Sequence, residues 1–166
     1  GVVPDISVEN ELLSNLSVHL ISQFKVFDYA TRFRSEHDKI APPREFEITD
    51  EIFNDFVTYV KGSDFKYTSS TQKVLDELKE TARSEKYLDL AGDQFEVLEK
   101  TLQPDLERDL KKFRDEIELL LKDEIVSRYY FQTGSAITSL EEDASIEKAR
   151  EILASEREYT QILMPD

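Results

Sequence analysis

The chain has 166 residues, a formal net charge of −15 at pH 7 and no cysteine. This length fits one domain with a real hydrophobic core. Such an acidic chain would be repelled by a phosphate backbone, and no basic stripe interleaved with aromatics is present, which argues against nucleic acid as a partner. Without cysteine there is no disulfide and no thiolate metal site. No apolar run approaches the roughly 20 residues that cross a bilayer.

The first ten residues predict a short β-strand without a partner elsewhere in the chain. Pro4 and Asp5 interrupt a β-branched run, as in an edge strand. The members of that run are Val2, Val3, Ile6 and Val8. A strand cannot satisfy its backbone alone. We therefore interpret residues 1–10 as the exit strand of a sheet in a longer protein and residues 11–166 as a helical domain; a start at Gly1 rather than methionine agrees with this.

Two helices are predicted in the next fifty residues. The first runs from Leu12 to about His37, and its apolar face consists of Leu13, Leu16, Leu20, Phe24, Phe27 and Phe33, widened by Ile21, Val26 and Ala30. A loop with two consecutive prolines, 40–43, follows. The second helix begins after Thr49, whose side chain is an N-cap, and ends at Lys61-Gly62. Its buried face is predicted to consist of Ile52, Phe53, Phe56, Val57 and Val60.

Ser69 to Gln72 reads as a capping box that opens a further helix. Its inward side chains are predicted to be Val74, Leu75, Leu78 and Ala82. A last short helix is expected from about Ser145 to Ala154 and is followed by an apolar tail. The residues expected to face inward there are Ile146, Ala149, Ile152 and Leu153, and the tail contains Tyr159, Ile162 and Leu163.

The stretch from Phe95 to Phe131 carries the strongest periodicity of the chain. Its apolar stripe consists of Phe95, Leu98, Leu102, Leu106, Leu110, Phe113, Ile117 and Leu121. The average step is about 3.7 residues, the period of a bundle helix rather than a coiled coil. Pro104 predicts a kink or a restart, after which a helix of about 28 residues should run to Gln132 and stop at Gly134. The predicted fold is mainly all-α: a bundle of about five to six helices around one long helix, with the orphan N-terminal strand.

Catalytic and metal motifs are weak. Ser70 and Lys73 match the serine-x-x-lysine pattern of penicillin-recognising enzymes, but no Ser-Asp-Asn or Lys-Thr-Gly accompanies them, so capping explains Ser70 better. His19 and His37 are eighteen residues apart in one predicted helix, too far to share a metal. No Glu-x-x-His pair or calcium loop is present. We therefore expect no catalytic residue, no cofactor-binding residue and no metal site.

The cluster Tyr129, Tyr130 and Phe131 is the one candidate contact site. Aromatic side chains carry much of the energy of protein interfaces. If these residues are exposed, they are candidates for docking a polypeptide; if they are buried, they cap a helical core.

The N-terminal segment Val2-Val-Pro-Asp-Ile-Ser-Val8 resembles the Gly-Gly-Ile-x-Pro-Asp-x-x-Val stretch that closes the catalytic domain of the C-terminal processing peptidases, or tail-specific proteases. These are serine endopeptidases of crotonase-like fold. The resemblance continues through the blocks 27–33, 48–56, 124–130 and 149–153, which are similar to the helical tail of some bacterial members. It thus covers almost the whole chain.

The resemblance implies a serine nucleophile, a lysine base and a substrate-reading PDZ domain upstream of residue 1, so that no residue here inherits a catalytic role. It implies a periplasmic or cell-envelope location and a role in proteolysis by the parent chain: framing the protease core, forming a homodimer or holding polypeptide substrates. The expected partners are those substrates and the protease and PDZ domains of the same protein. Two alternatives stay open: a free-standing helical adaptor for a partner protein, and an independent hydrolase that uses Ser70 and Lys73.

Overall fold

A computed structural model of the chain describes residues 4–8, 12–141 and 143–163. Within those ranges the chain forms nine α-helices and no β-strand. The helices are α1 (Asn15–Ser22), α2 (Lys25–Glu36), α3 (Asp50–Lys61), α4 (Ser70–Ser84), α5 (Leu88–Leu102), α6 (Leu106–Lys112), α7 (Arg114–Glu141), α8 (Ala144–Ala154) and α9 (Glu156–Leu163). The all-α prediction is confirmed, with more and shorter helices than the five to six expected.

The predicted strand is wrong for the part of it that the structure describes. Residues 4–8 form a bend and irregular backbone, and residues 1–3, 9 and 10 lie outside the described residues. Pro4 lacks the N–H that a strand ladder requires, and no other described strand is available to pair with this segment.

The helices fall into two compact units. The central unit consists of residues 13–29 and 48–120, and the terminal unit consists of the described residues among 1–12, 30–47 and 121–166. Each unit has its own buried apolar side chains. Those of the central unit include Leu16, Leu20, Tyr29, Phe53, Phe56, Val60, Leu110 and Ile117, and those of the terminal unit include Phe33, Phe46, Leu121, Ile125 and Val126.

The predicted helix from Leu12 to His37 is broken into α1 and α2 at Phe24, which has a φ of 57°. The side chain of Gln23 donates a hydrogen bond of 2.6 Å to the main-chain carbonyl of Lys66, which fixes the end of α1. The break turns the buried face of α2, so the expected core residues Phe24 and Phe27 are exposed, as are Leu13 and Ile21. Leu16, Leu20, Val26, Ala30 and Phe33 are buried as predicted, together with Tyr29.

Helix α3 follows its sequence signals closely. The side chain of Thr49 accepts a hydrogen bond of 3.3 Å from the N–H of Ile52, the expected N-cap. The predicted inward residues are buried or half-buried, and the helix ends at Lys61 before Gly62.

Helices α4 and α5 pack against each other around a small apolar cluster of Leu75, Ala82 and Phe95. Ser69 caps α4 by accepting a 3.0 Å hydrogen bond from the N–H of Gln72. Gln72 bonds instead to Asp76, so the capping box is not reciprocal. Val74 and Leu78 were expected to face inward, and this is wrong: both are exposed, because a two-helix pair covers only a narrow strip of each helix.

The single long helix expected after Pro104 is also wrong. Asp105 follows the proline and caps α6 by accepting a 2.8 Å hydrogen bond from the N–H of Arg108, so the helix restarts there. Phe113 leaves helical geometry (φ −103°, ψ 27°) before α7 begins. The apolar stripe keeps its phase across the break at Phe113, since Leu110, Ile117 and Leu121 are fully buried. Before Pro104 it is only partly correct, because Phe95 is buried and Leu98 is exposed. Periodicity therefore identified the core better than the helix ends.

Candidate functional site

Helix α7 reverses direction at Phe131, which has a φ of 54° and a ψ of −149°. One oxygen of Asp123 accepts hydrogen bonds from the hydroxyls of Ser135 (2.6 Å) and Thr138 (2.9 Å). In a continuous helix twelve residues span about 18 Å, so these bonds require the segment after Phe131 to fold back along residues 121–130. The element is a helical hairpin with its turn at Phe131.

Gly134 allows the two segments of this hairpin to approach closely. A Cβ atom added there would lie 2.5 Å from the Cβ of Tyr130 and 2.8 Å from a methyl group of Val126. We predicted Gly134 as a helix stop, which is wrong: the helix ends three residues earlier, and Gly134 is the contact point of the returning segment.

Two of the three predicted contact residues anchor a loop of the terminal unit. The hydroxyl of Tyr129 donates a 2.6 Å hydrogen bond to the carbonyl of His37, and Arg34 stacks on its ring at 4.6 Å. The hydroxyl of Tyr130 donates to the carbonyls of Ile40 (3.4 Å) and Ala41 (3.3 Å). Burial raises the pKa of Tyr129, while the charge of Arg34 opposes the rise. Both tyrosines are half-buried, and they bond to the carbonyls of residues 37–41.

Phe131, the third predicted contact residue, has a different environment. Its side chain is 75% exposed at the turn of the hairpin. Left-handed and related backbone conformations cost non-glycine residues about 1–3 kcal/mol and persist only where the surrounding structure enforces them. The structure thus divides the aromatic cluster into two anchoring tyrosines and one free aromatic side chain in a strained turn.

The serine-x-x-lysine pair lies beside a cleft of about 390 Å³ in the central unit. The side-chain amide of Asn15 donates a 3.2 Å hydrogen bond to the hydroxyl of Ser70. Lys73 is exposed, and its side chain forms no hydrogen bond or ion pair with any described residue. A serine nucleophile requires a base within hydrogen-bond reach, and Ser70 has none here.

A buried carboxylate forms the other polar feature of this cleft. Asp109 accepts hydrogen bonds from the hydroxyl of Tyr67, from Arg108 (2.9 Å) and from the N–H of Asp105 (3.2 Å). Desolvation by burial would raise the pKa of Asp109, but the hydrogen bonds from Arg108 and Tyr67 outweigh it and lower the pKa. Burial, followed by the hydrogen bond to Asp109, raises the pKa of Tyr67. The hydrogen bond from Tyr67 joins the loop before α4 to Asp109 in α6. Because its oxygens already accept these hydrogen bonds and its pKa is lowered, Asp109 is unsuited to act as a base.

Neither histidine is arranged as a ligand. His19 and His37 each bond through Nδ1 to a main-chain carbonyl four residues earlier, and His37 also stacks on Phe33 at 4.0 Å. Across residues 4–8, 12–141 and 143–163, the structure contains no cluster of three or more histidine, aspartate or glutamate side chains that could hold a metal ion. No helix in that part of the chain is both long and apolar enough to span a bilayer.

Sequence reasoning missed the turn at Phe131 and the role of Asp109. The reversal follows no glycine or proline, and its polar partners, Asp123 with Ser135 and Thr138, are twelve and fifteen residues apart. For Asp109, the available signal was its place next to Leu110 on the buried stripe. A carboxylate at such a position predicts a bonded network, since buried charges are paired.

The described structure is thus an all-α domain in which the predicted serine and lysine do not pair. A family model described as "Probable PDZ-protease, C-terminal helical domain" matches residues 16–153. The chain belongs to this family, and the resemblance to the helical C-terminal region of a processing protease is confirmed. No curated protein and no solved structure matched the chain.

Proposed function

We propose that this chain is the non-catalytic C-terminal helical domain of a serine-type processing endopeptidase of the periplasm or cell envelope, and that it braces the protease domain of the same protein. The main support is the family match over residues 16–153. The proposal is supported further because Ser70 bonds to Asn15 and not to Lys73. The nucleophile and its base are then expected in another part of the protein.

The test is a peptidase assay on an unfolded polypeptide, with the 166-residue chain alone and with the full parent protein. The parent should cleave, the isolated chain should not, and Ser70→Ala or Lys73→Ala in the parent should leave kcat/KM within about twofold. Cleavage by the isolated chain with labelling of Ser70 by a serine-reactive probe would instead establish an independent hydrolase. Cleavage by neither protein would favour the free-standing adaptor.

Phe131 favours a second role, contact with the polypeptide substrate. Its ring is exposed at a turn whose strained backbone is stabilised by the bonds of Asp123 to Ser135 and Thr138. An aromatic side chain on a fixed backbone loses less entropy on binding than one on a mobile segment. The neighbouring tyrosines cannot serve in the same way while their hydroxyls bond to residues 37–41.

Phe131→Ala in the parent tests this role, because it removes the ring and keeps a Cβ in the turn. We expect KM for an unfolded polypeptide to rise about 3–10-fold with kcat unchanged, as uniform binding predicts. Tyr130→Phe is the matched control and should leave KM unchanged while weakening the loop anchor. Equal effects of the two substitutions would show that Phe131 acts only through the structure of the hairpin.

A further inference from the structure

Helices α8 and α9 bury less of their own surface than the other described helices. Neither contains a buried residue, although they pack against each other. Leu153, Tyr159 and Leu163 are exposed, and Leu153 is 67% exposed. The sequence predicts that Ile146, Ala149, Ile152 and Leu153 face inward. This is wrong for Ala149 and Leu153, which are exposed, whereas the two isoleucines are half-buried.

Their sequences are nevertheless those of helices with a side to bury. At 3.6 residues per turn, Ile146, Ala149 and Leu153 share one face of α8, and Tyr159, Ile162 and Leu163 share one face of α9. Helices of 11 and 8 residues are marginal in water without tertiary packing. These apolar faces therefore require a partner beyond the described residues.

Helix α8 lies beside the N-terminal segment of the chain. Ser7 and Val8 line a cleft together with Ala144, Glu147 and Lys148 of α8. They belong to the segment that resembles the end of a protease catalytic domain. Six Cα–Cα steps connect residue 1 to Ser7, and at about 3.3–3.6 Å per step they span about 20 Å when fully extended. In the proposed parent protein, the protease domain before residue 1 would thus be tethered close to α8, at a high effective concentration.

We propose that the apolar faces of α8 and α9 dock on the protease domain that precedes residue 1 in the parent protein. This inference rests on the proposed function. A second copy of the chain or a polypeptide substrate would have to compete with a surface already tethered within about 20 Å, whereas the protease domain incurs no loss of translational freedom on docking.

The test places the photocrosslinking residue benzoylphenylalanine at Leu153 or Leu163 of the full parent protein, with Gln161 as the control position. Gln161 is exposed and lies on the side of α9 opposite Leu163. Mass spectrometry then locates the crosslinks. We expect crosslinks within one chain to the protease domain, at least fivefold above those from Gln161.

Crosslinks mainly between two copies, to an added polypeptide or to the PDZ domain would overturn the inference, as would yields no higher than from Gln161.

A second measurement is amide exchange of α8 and α9 in the parent. Leu153→Ser with Leu163→Ser should accelerate exchange at least tenfold, and Gln161→Ser should not; unchanged exchange in the double variant also counts against docking. Because crosslinking does not depend on cleavage, a parent that cleaves without these crosslinks contradicts only this inference. A crosslinked parent without peptidase activity contradicts the proposed function.

Discussion

Helices α3 and α8 have similar local signals and opposite surroundings. They contain 12 and 11 residues, and each begins at a side-chain N-cap, Thr49 in α3 and Asp143 in α8. Yet α3 buries Phe53, Phe56 and Val60, whereas α8 buries no residue. Caps and amphipathicity therefore determine where a helix forms and which side seeks a partner, and the partner itself must be supplied by the rest of the protein.

The largest expected effect is on the packed helix of this pair. Phe56 is fully buried and contacts Tyr29 edge-to-face with ring centroids 5.1 Å apart. Phe56→Ala should lower the free energy of unfolding by about 3–5 kcal/mol, because it removes a buried ring and leaves a cavity. Leu153→Ala in α8 should change it by less than about 0.5 kcal/mol. Denaturant unfolding of the chain measures both, and similar losses would mean that α8 is packed after all.

The second segment of α7 is a short helix that is packed, and its packing depends on Gly134. Gly134→Ala should destabilise the chain by about 1–3 kcal/mol, since the new methyl group would overlap Tyr130 and Val126. Gly92→Ala in α5 is the matched control, because no atom lies within 4 Å of the added methyl group. That substitution should stabilise the chain by about 0.4–1 kcal/mol. Two stabilising results in thermal unfolding would contradict the close approach at Gly134.

These contrasts explain which features could be predicted from sequence. Helix α3 was predicted fully, because its cap, its acidic first turn and its apolar stripe lie within fourteen consecutive residues. The breaks at Phe24 and Phe131 were not, because neither is at glycine or proline. Each is held by a hydrogen bond between residues that are distant in sequence, donated by Gln23 to Lys66 and by Ser135 to Asp123.

The environment of the aromatic cluster was predicted only in part for the same reason. Sequence identified Tyr129, Tyr130 and Phe131 as one aromatic cluster, but their roles separate at a turn that only the tertiary bonds define. The exposed face of α8 illustrates a further limit: an amphipathic pattern predicts a buried face, but the described residues bury no residue of α8.

Removing the N-cap of α3 should lower the stability of the whole chain, whereas removing the N-cap of α8 should affect only that helix. Thr49→Ala should lower the free energy of unfolding by about 1 kcal/mol, and Thr49→Ser should restore most of it. Asp143 accepts hydrogen bonds from the N–H groups of Ser145 (2.8 Å) and Ile146 (3.1 Å). Asp143→Ala should therefore reduce helicity in α8, seen by NMR chemical shifts, while global unfolding shifts by less than about 0.5 kcal/mol. A loss equal to that of Thr49→Ala would place α8 within the cooperative unit.

The smallest expected effect concerns the pH dependence of two ion pairs, one formed by α3 and one within α8. Lys61 of α3 binds Glu107 of α6 at 2.7 Å, and together with Lys111 it lowers the pKa of Glu107 from 4.5 to about 2. Because the folded state favours the ionised form, this contribution is complete above pH 4.5 and is lost as the pH falls towards 2. In α8, Lys148 forms an ion pair with Glu151 of its own helix at 2.9 Å. Glu107→Gln should thus flatten the decline in stability between pH 4.5 and 2 at low salt, and Glu151→Gln should not. Since the Glu107 pair is exposed, 1 M salt should abolish the difference between the variants, and its persistence there would indicate a different origin.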